Sequence, residues 1–149
     1  MRAVVQRVRE ARVLVGAETV AEMGEGLLAL VGVATGDGPE AARALGQKLV
    51  HLRVMPDAEG RMNRSLLEAG GTLGVVSQFT LLGDLRQGRR PSWAAAAAPE
   101  IAEPLVLEVA EEARRAGVPV VTGRFRAHMD VELVNVGPVT LLLDTDKRF

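Results

Sequence analysis

The sequence predicts a single mixed α/β domain whose strongly β core, barrel-like or built of layered sheets, is covered by two main helices. Three observations lead there. A chain of 149 residues with 48% hydrophobic content suits one compact domain that buries a full core without metals or disulfides. Apolar residues fall in short extended runs, several of them alternating, over both ends of the chain. Two stretches between them switch to three- and four-residue spacing, the mark of helices with one apolar stripe. No linker or internal repeat interrupts residues 1–149, so one domain is expected throughout.

The elements follow in order. Ala11, Val13 and Val15 alternate with Arg12 and Leu14, Gly16-Ala17 offers a turn, and Glu18 to Met23 forms a second extended run closed by Gly24-Glu25-Gly26. Leu27 to Val33 is nearly all apolar and bounded by glycines, which predicts a central strand buried on both faces. Pro39 opens a helix to about Leu52, with Ala42, Leu45, Leu49 and Leu52 on one side. Arg53 to Met55 and Arg61-Met62 read as a short strand and its return, and Asn63 to Leu67 as a short helical turn. Thr72 to Phe79 is an apolar strand that turns polar at its carboxyl end. Leu82 to Trp93 is a long irregular loop, of a length that in compact domains is functional or disordered. Ala94 to Ala98 has the composition of a helix. A second main helix runs from about Pro99 to Ala116, with Ile101, Leu105 and Val109 on one face and Gly117 and Pro119 as stop signals; Pro104 blurs its start. Three strands close the chain, Val118 to Thr122, His128 to Val134 and Val139 to Leu143, the last two joined at Asn135-Val136-Gly137-Pro138.

Composition removes several function classes. There is no cysteine, which rules out disulfides and Cys-based zinc or iron-sulfur sites, and His51 and His128 cannot build a metal site unaided. No metal and no cofactor is expected. The arginine-bearing start, Met1 to Val8, lacks the apolar core of a signal peptide, and no stretch reaches the length of a membrane span. A soluble, cytoplasmic protein without a membrane partner is the expectation. A net charge of −1 and a pI near 6.1 argue against coating nucleic acid by bulk electrostatics. A local contact stays open, because Arg86, Arg89 and Arg90 cluster among Gly83, Gly88 and Pro91. That loop is a candidate phosphate contact, and a solvated surface is the alternative.

Two motifs could carry chemistry. Ser77-Gln78-Phe79-Thr80 places two hydroxyls and an amide at the end of a buried strand. A Ser77 nucleophile would need His51 or His128 as its base, and no Gly-x-Ser-x-Gly elbow surrounds it. The same hydroxyls could instead satisfy backbone groups where the strand ends. Gly137-Pro138 can turn abruptly and expose carbonyls, because glycine reaches backbone angles closed to other residues and X-Pro bonds tolerate the cis form. A purely structural hairpin turn is the alternative.

In order and context the motifs resemble the D-aminoacyl-tRNA (D-tyrosyl-tRNA) deacylases. The resemblance rests on Met1-Arg2-Ala3-Val4-Val5-Gln6-Arg7-Val8, Gly26-Leu27-Leu28, Gly60-Arg61-Met62-Asn63-Arg64-Ser65-Leu66, Ser77-Gln78-Phe79-Thr80-Leu81, Gly88-Arg89-Arg90-Pro91-Ser92, Thr122-Gly123-Arg124-Phe125 and Leu133-Val134-Asn135-Val136-Gly137-Pro138-Val139-Thr140, and so spans the chain. It implies that family's fold and a hydrolase that cleaves the ester between tRNA and a D-amino acid, a proofreading step of translation. It also implies a homodimer with the pocket near the subunit interface, and the terminal adenosine of aminoacyl-tRNA as the bound end of the partner. Ser77, Gln78, Phe79 and Thr80 would form the pocket and supply backbone donors to the oxyanion. Gly137 and Pro138 would be the chirality filter, with a cis bond whose carbonyls collide with an L side chain. Glycine, having no side chain to exclude, would be removed as well when mischarged on tRNA-Ala. Arg7 would brace the filter, or pair with a glutamate; Phe79 and Met129 would pack around the terminal adenosine or substrate, or be core. The family tends to have glycine at the position of Arg126 and a polar residue at that of Val136, and both positions are expected near the pocket rim. A conventional hydrolase using Ser77 or Thr80 with His128, and a non-catalytic dimeric RNA-binding module, are the competing readings.

Overall fold

The computed structural model describes residues 1–148. In chain order these form β1 (Arg2–Val15), β2 (Glu18–Met23), β3 (Gly26–Gly32), α1 (Pro39–His51), β4 (Met55–Pro56), β5 (Met62–Arg64), α2 (Leu66–Ala69), β6 (Thr72–Ser77), a 3-10 turn (Phe79–Leu82), α3 (Pro99–Arg115), β7 (Val120–Thr122) and β8 (Asp130–Asp144). β1 organises the sheet. One of its edges pairs along nearly its whole length with antiparallel β8; the other is shared between β3, opposite Arg2 to Val8, and β2, opposite Ala11 to Val15. Beyond β3 the sheet continues through parallel β6 and β7, with helical crossovers supplying the connections that parallel strands require. β3 is therefore central and buried on both faces, as its unbroken apolar run requires.

Alternation along β1 feeds two cores. Ala3 and Val5 point, with Leu27, Ala29, Leu73 and Val75, into a layer roofed by α1 and α3. Val8 faces the other way, and one extra β1 residue between Val8 and Glu10 keeps Ala11 and Val13 on that same side. There they meet Ala21 and Met23 of β2, Leu28 and Val76, so the curled sheet encloses a second, smaller core. Gly74 leaves room for this: a Cβ there would lie 2.7 Å from the Met23 sulfur. The result is a nearly closed, barrel-like sheet.

Several local expectations give way to longer-range pairing. Val139–Leu143 and the run expected from His128 to Val134 are not two strands around a hairpin; from Asp130 on both belong to β8, because β1 templates the strand on each side of Gly137-Pro138, while His128 and Met129 precede it. Ile101 is exposed rather than buried, and α3 packs instead through Leu105, Val106, Val109, Ala110 and Ala113. Asn63 and Arg64 extend β5, while Ser65 caps α2. The alanine run is not helical. Ala98, preceding Pro99, is driven to extended angles, and Ala95 to Ala97 hydrogen-bond to Val33 and Thr35 beyond β3.

Candidate active site

β6 runs in register with β3 as far as Ser77 opposite Val31, and the Gln78 N–H extends that ladder to the Val31 carbonyl at 2.7 Å. The chain then tightens into the 3-10 turn, ending the expected strand two residues early. Gly32 permits this, since a Cβ there would sit 2.6 Å from Leu82 and 2.9 Å from the Gln78 carbonyl oxygen. Leu82 is buried beneath the turn, whereas Phe79 is 56% exposed. An aromatic half in water asks for a partner. It has one in Trp93, edge-on at 5.1 Å between ring centroids, and Trp93 itself closes against Gly83, where a Cβ would lie 2.7 Å from the indole.

The facing wall is the loop from Phe125 to Met129, closed by a hydrogen bond from the Ala127 N–H to the Arg124 carbonyl at 3.2 Å. Arg126 occupies the left-handed region at φ 63°, the conformation that glycine adopts without cost. Met129 folds back over Gly123, whose missing Cβ would lie 2.9 Å from its sulfur. Just before this loop Arg124 pairs with Glu18 at 2.9 Å, and that hydrogen bond holds the Glu18 carboxyl below its ordinary value. Past the 3-10 turn Arg86 clamps Asp84; their side-chain hydrogen bonds, with the Arg86 backbone N–H, push the Asp84 pKa down to about 2.

Between these walls lies a cavity of about 710 Å³ lined by Ser77, Gln78, Phe79, Thr80, Trp93, Ala96, Ala97, Phe125, Arg126, His128 and Met129 among others. Its size suits a ligand as large as an aminoacyl nucleoside. Thr80 Oγ1 accepts a hydrogen bond from Gln78 Nε2 at 3.0 Å. Among the described residues no hydrogen bond joins Ser77 or Thr80 to an imidazole. His51 ends α1 away from the cavity. The Phe79 and Thr80 amides open the 3-10 turn, where no carbonyl of the turn can reach them.

The sequence therefore identified the floor of this cavity and Met129, but Trp93, Phe125, Ala96 and Ala97 were not singled out. All four come from loops whose approach is set by tertiary contacts. The aromatic pair had one available signal, since the chain holds one Trp and three Phe.

Gly137, Pro138 and Arg7 are not among the residues lining that cavity, and Val136, expected at its rim, stands with them instead. They form a separate construction on β8. Gln6 pairs with Thr140 and Val8 with Asn135, so the residues from Val136 to Val139 bulge outward opposite Arg7 alone. The Gly137-Pro138 bond is cis, and Gly137 has φ 133°. Asn135 closes the bulge by accepting from the Val139 N–H at 2.7 Å and donating to the Val139 carbonyl at 3.0 Å. Arg7 donates to the Val136 carbonyl at 3.1 Å and to the Val54 carbonyl at 2.7 Å, tying the bulge to the segment before β4. The bulge is exposed, with Val136 inside it at 40% and Leu142 just beyond it at 61%. Asn135 was quoted in the sequence motif but given no role there.

The family model described as D-Tyr-tRNA(Tyr) deacylase matches residues 4–144. The chain is 55% identical over 149 residues to a D-aminoacyl-tRNA deacylase of Symbiobacterium thermophilum, covering 100% of this chain and 99% of that one. It is 59% identical over 145 residues to one from a Roseiflexus species, covering 97% and 94%. Among solved structures, a c-Myc DNA unwinding element binding protein is similar at TM-score 0.91 and 34% identity, covering 97% of this chain and 98% of that one. A probable eukaryotic D-amino acid tRNA deacylase shares the fold at TM-score 0.80 and 20% identity, covering 95% and 97%.

Proposed function

From the premise that this chain belongs to the D-Tyr-tRNA(Tyr) deacylase family, we propose that it hydrolyses the ester of D-aminoacyl-tRNA in a pocket completed by a second subunit's main chain. The terminal adenosine packs against Phe79 and Met129. The ester lies over Ser77 to Thr80, where backbone amides of the 3-10 turn donate to the oxyanion as it develops. Water attacks without a protein nucleophile. An aminoacyl ester is already activated, and the neighbouring hydroxyl of the terminal ribose helps orient or activate that water once the protein holds both in place.

Discrimination comes from Gly137 and Pro138 of the second subunit, entering the mouth of the cavity. A main-chain wall collides with an L side chain and ignores the identity of a D one, so a single site serves many D-amino acids. Glycine passes too, including glycine mischarged on tRNA-Ala. A homodimer is supported by β8, a 15-residue strand bonded to β1 on one side, with exposed Val136 inside its outward bulge and exposed Leu142 just beyond it. One observation carries this reading: among the described residues the cavity's hydroxyls have no imidazole partner, while the braced bulge stands apart from that cavity.

Deacylation of matched D- and L-aminoacyl-tRNAs tests it. The D substrate and the glycyl one are hydrolysed at least about a hundredfold faster than the L, which corresponds to roughly 2.8 kcal/mol of steric collision. Removing the free hydroxyl from the terminal ribose slows the reaction, whereas Thr80→Ala and Ser77→Ala cost far less than the several orders of magnitude a nucleophile would. Equal rates on both enantiomers would remove the chirality filter, and undiminished rates without the hydroxyl would remove substrate assistance.

A further inference from the structure

We infer that the arginine loop between Gly83 and Trp93 holds backbone phosphates of the tRNA strand next to its terminal nucleotide, through Arg89 and Arg90. This rests on the pocket reading above and adds to it the surface that grips the polynucleotide. One end of the loop lines the cavity and the other is bonded to a residue that does. The Gly83 N–H donates to the Thr80 carbonyl at 3.0 Å, and Trp93 lines the cavity beside Phe79. The base is a fixed two-way bridge, with Asp84 N–H to Ser92 carbonyl and Ser92 N–H to Asp84 carbonyl each at 2.9 Å.

Charge is sorted within the loop. Arg86 spends its guanidinium on Asp84, the segment's one carboxylate, with Nη2 to Oδ2 at 2.6 Å. Arg89 and Arg90 are exposed, and no hydrogen bond or ion pair engages them among the described residues. An unneutralised pair of guanidiniums on a protein of net charge −1 is a local feature rather than general basicity. Arg90 is three residues from Trp93, so their Cα atoms lie within about 11 Å of one another. A nucleoside seated at Phe79 and Trp93 thus brings its upstream phosphates into range, and guanidinium forks match phosphate oxygens. The apolar cavity reads the terminal residue; the loop reads only that a chain of phosphates follows it.

The test compares D-aminoacyl-tRNA with a D-aminoacyl-adenosine, which carries no upstream phosphates, on wild type and on Arg89→Gln/Arg90→Gln. The variant's KM for the tRNA substrate rises about tenfold at physiological salt, and the slope of log affinity for uncharged tRNA against log salt falls by about 1.5, the loss of two phosphate contacts. Its kcat/KM on the adenosine substrate stays at the wild-type value. An equal loss on both substrates would mean that the loop merely shapes the pocket, and an unchanged KM and slope would mean that the arginines are solvated surface; either overturns the inference. Inactivity of the wild type on both substrates would instead sink the pocket reading, and the salt slope for uncharged tRNA would still decide for or against the arginines.

Discussion

Arg7 shows how much one side chain can fix. Its fork reaches two carbonyls that belong to distant segments, Val136 on the β8 bulge and Val54 before β4. A lysine presents a single ammonium on a flexible stem and cannot hold both in one geometry. Arg7→Lys is accordingly expected to lower stability by about 1.5 kcal/mol, a melting temperature lower by roughly 3–6 °C, and to cut the D-over-L rate ratio more than the D rate itself. Calorimetry and paired deacylation assays check the two effects; an unchanged ratio would show that the bulge needs no brace. That Arg7 would brace the turn at Gly137-Pro138 was legible only through the family resemblance. Which acceptors it finds was not, because Val136 lies 129 residues away and is brought over only by strand pairing. Asn135 was less legible still. Its amide substitutes for the strand-to-strand bonds that the bulge interrupts, a local role that asparagine often takes in turns.

Elements were readable wherever the cause was local. The apolar stripe of α1, the stop of α3 at Gly117 and the polar end of β6 all follow from neighbours in sequence. In α3 the Gly117 N–H reaches the Arg114 carbonyl and the Val118 N–H the Ala113 carbonyl, the pairing of a left-handed glycine terminus. α2 is short enough to depend on its cap. Ser65 is buried, accepts from the Glu68 N–H, and receives the Glu68 carboxylate on its own N–H at 2.7 Å. Ser65→Ala should therefore cost about 1 kcal/mol, or roughly 2–4 °C in melting temperature. The Ser65 backbone N–H holds the Glu68 carboxyl below its ordinary value of 4.5. Its stabilising share is complete above that value and disappears as pH falls through the lowered one; Ser65→Ala keeps that N–H, so the pH-linked share is read from Glu68→Ala, whose penalty shrinks in acid, and a constant penalty across that range would contradict the reciprocal cap. β8 and the alanine run were misjudged for the opposite reason. Their conformations are imposed by β1 and by the end of β3, partners that no local pattern reveals.

At the scale of the whole molecule, the curled sheet places two constructions on different parts of one chain. The cavity sits at the carboxyl ends of parallel β3 and β6, while the braced bulge projects from β8 across the other edge of β1. The sequence motifs named both, and the resemblance named the family that the comparisons then bore out, but only the folded chain shows that they do not meet within it. The proposed dimer brings them together, and a mixed dimer tests that claim directly. One subunit carries Ala102→Trp, which fills its cavity; the other carries Gly137→Ala, whose Cβ would lie 2.8 Å from Val139 and 3.1 Å from the Arg7 guanidinium at a φ that side chains avoid. In the isolated heterodimer the open cavity belongs to the Gly137→Ala subunit and faces the intact bulge of its partner, so D-over-L discrimination returns to the wild-type ratio. A protein that stays monomeric, or a heterodimer as indiscriminate as the Gly137→Ala homodimer, would contradict the account.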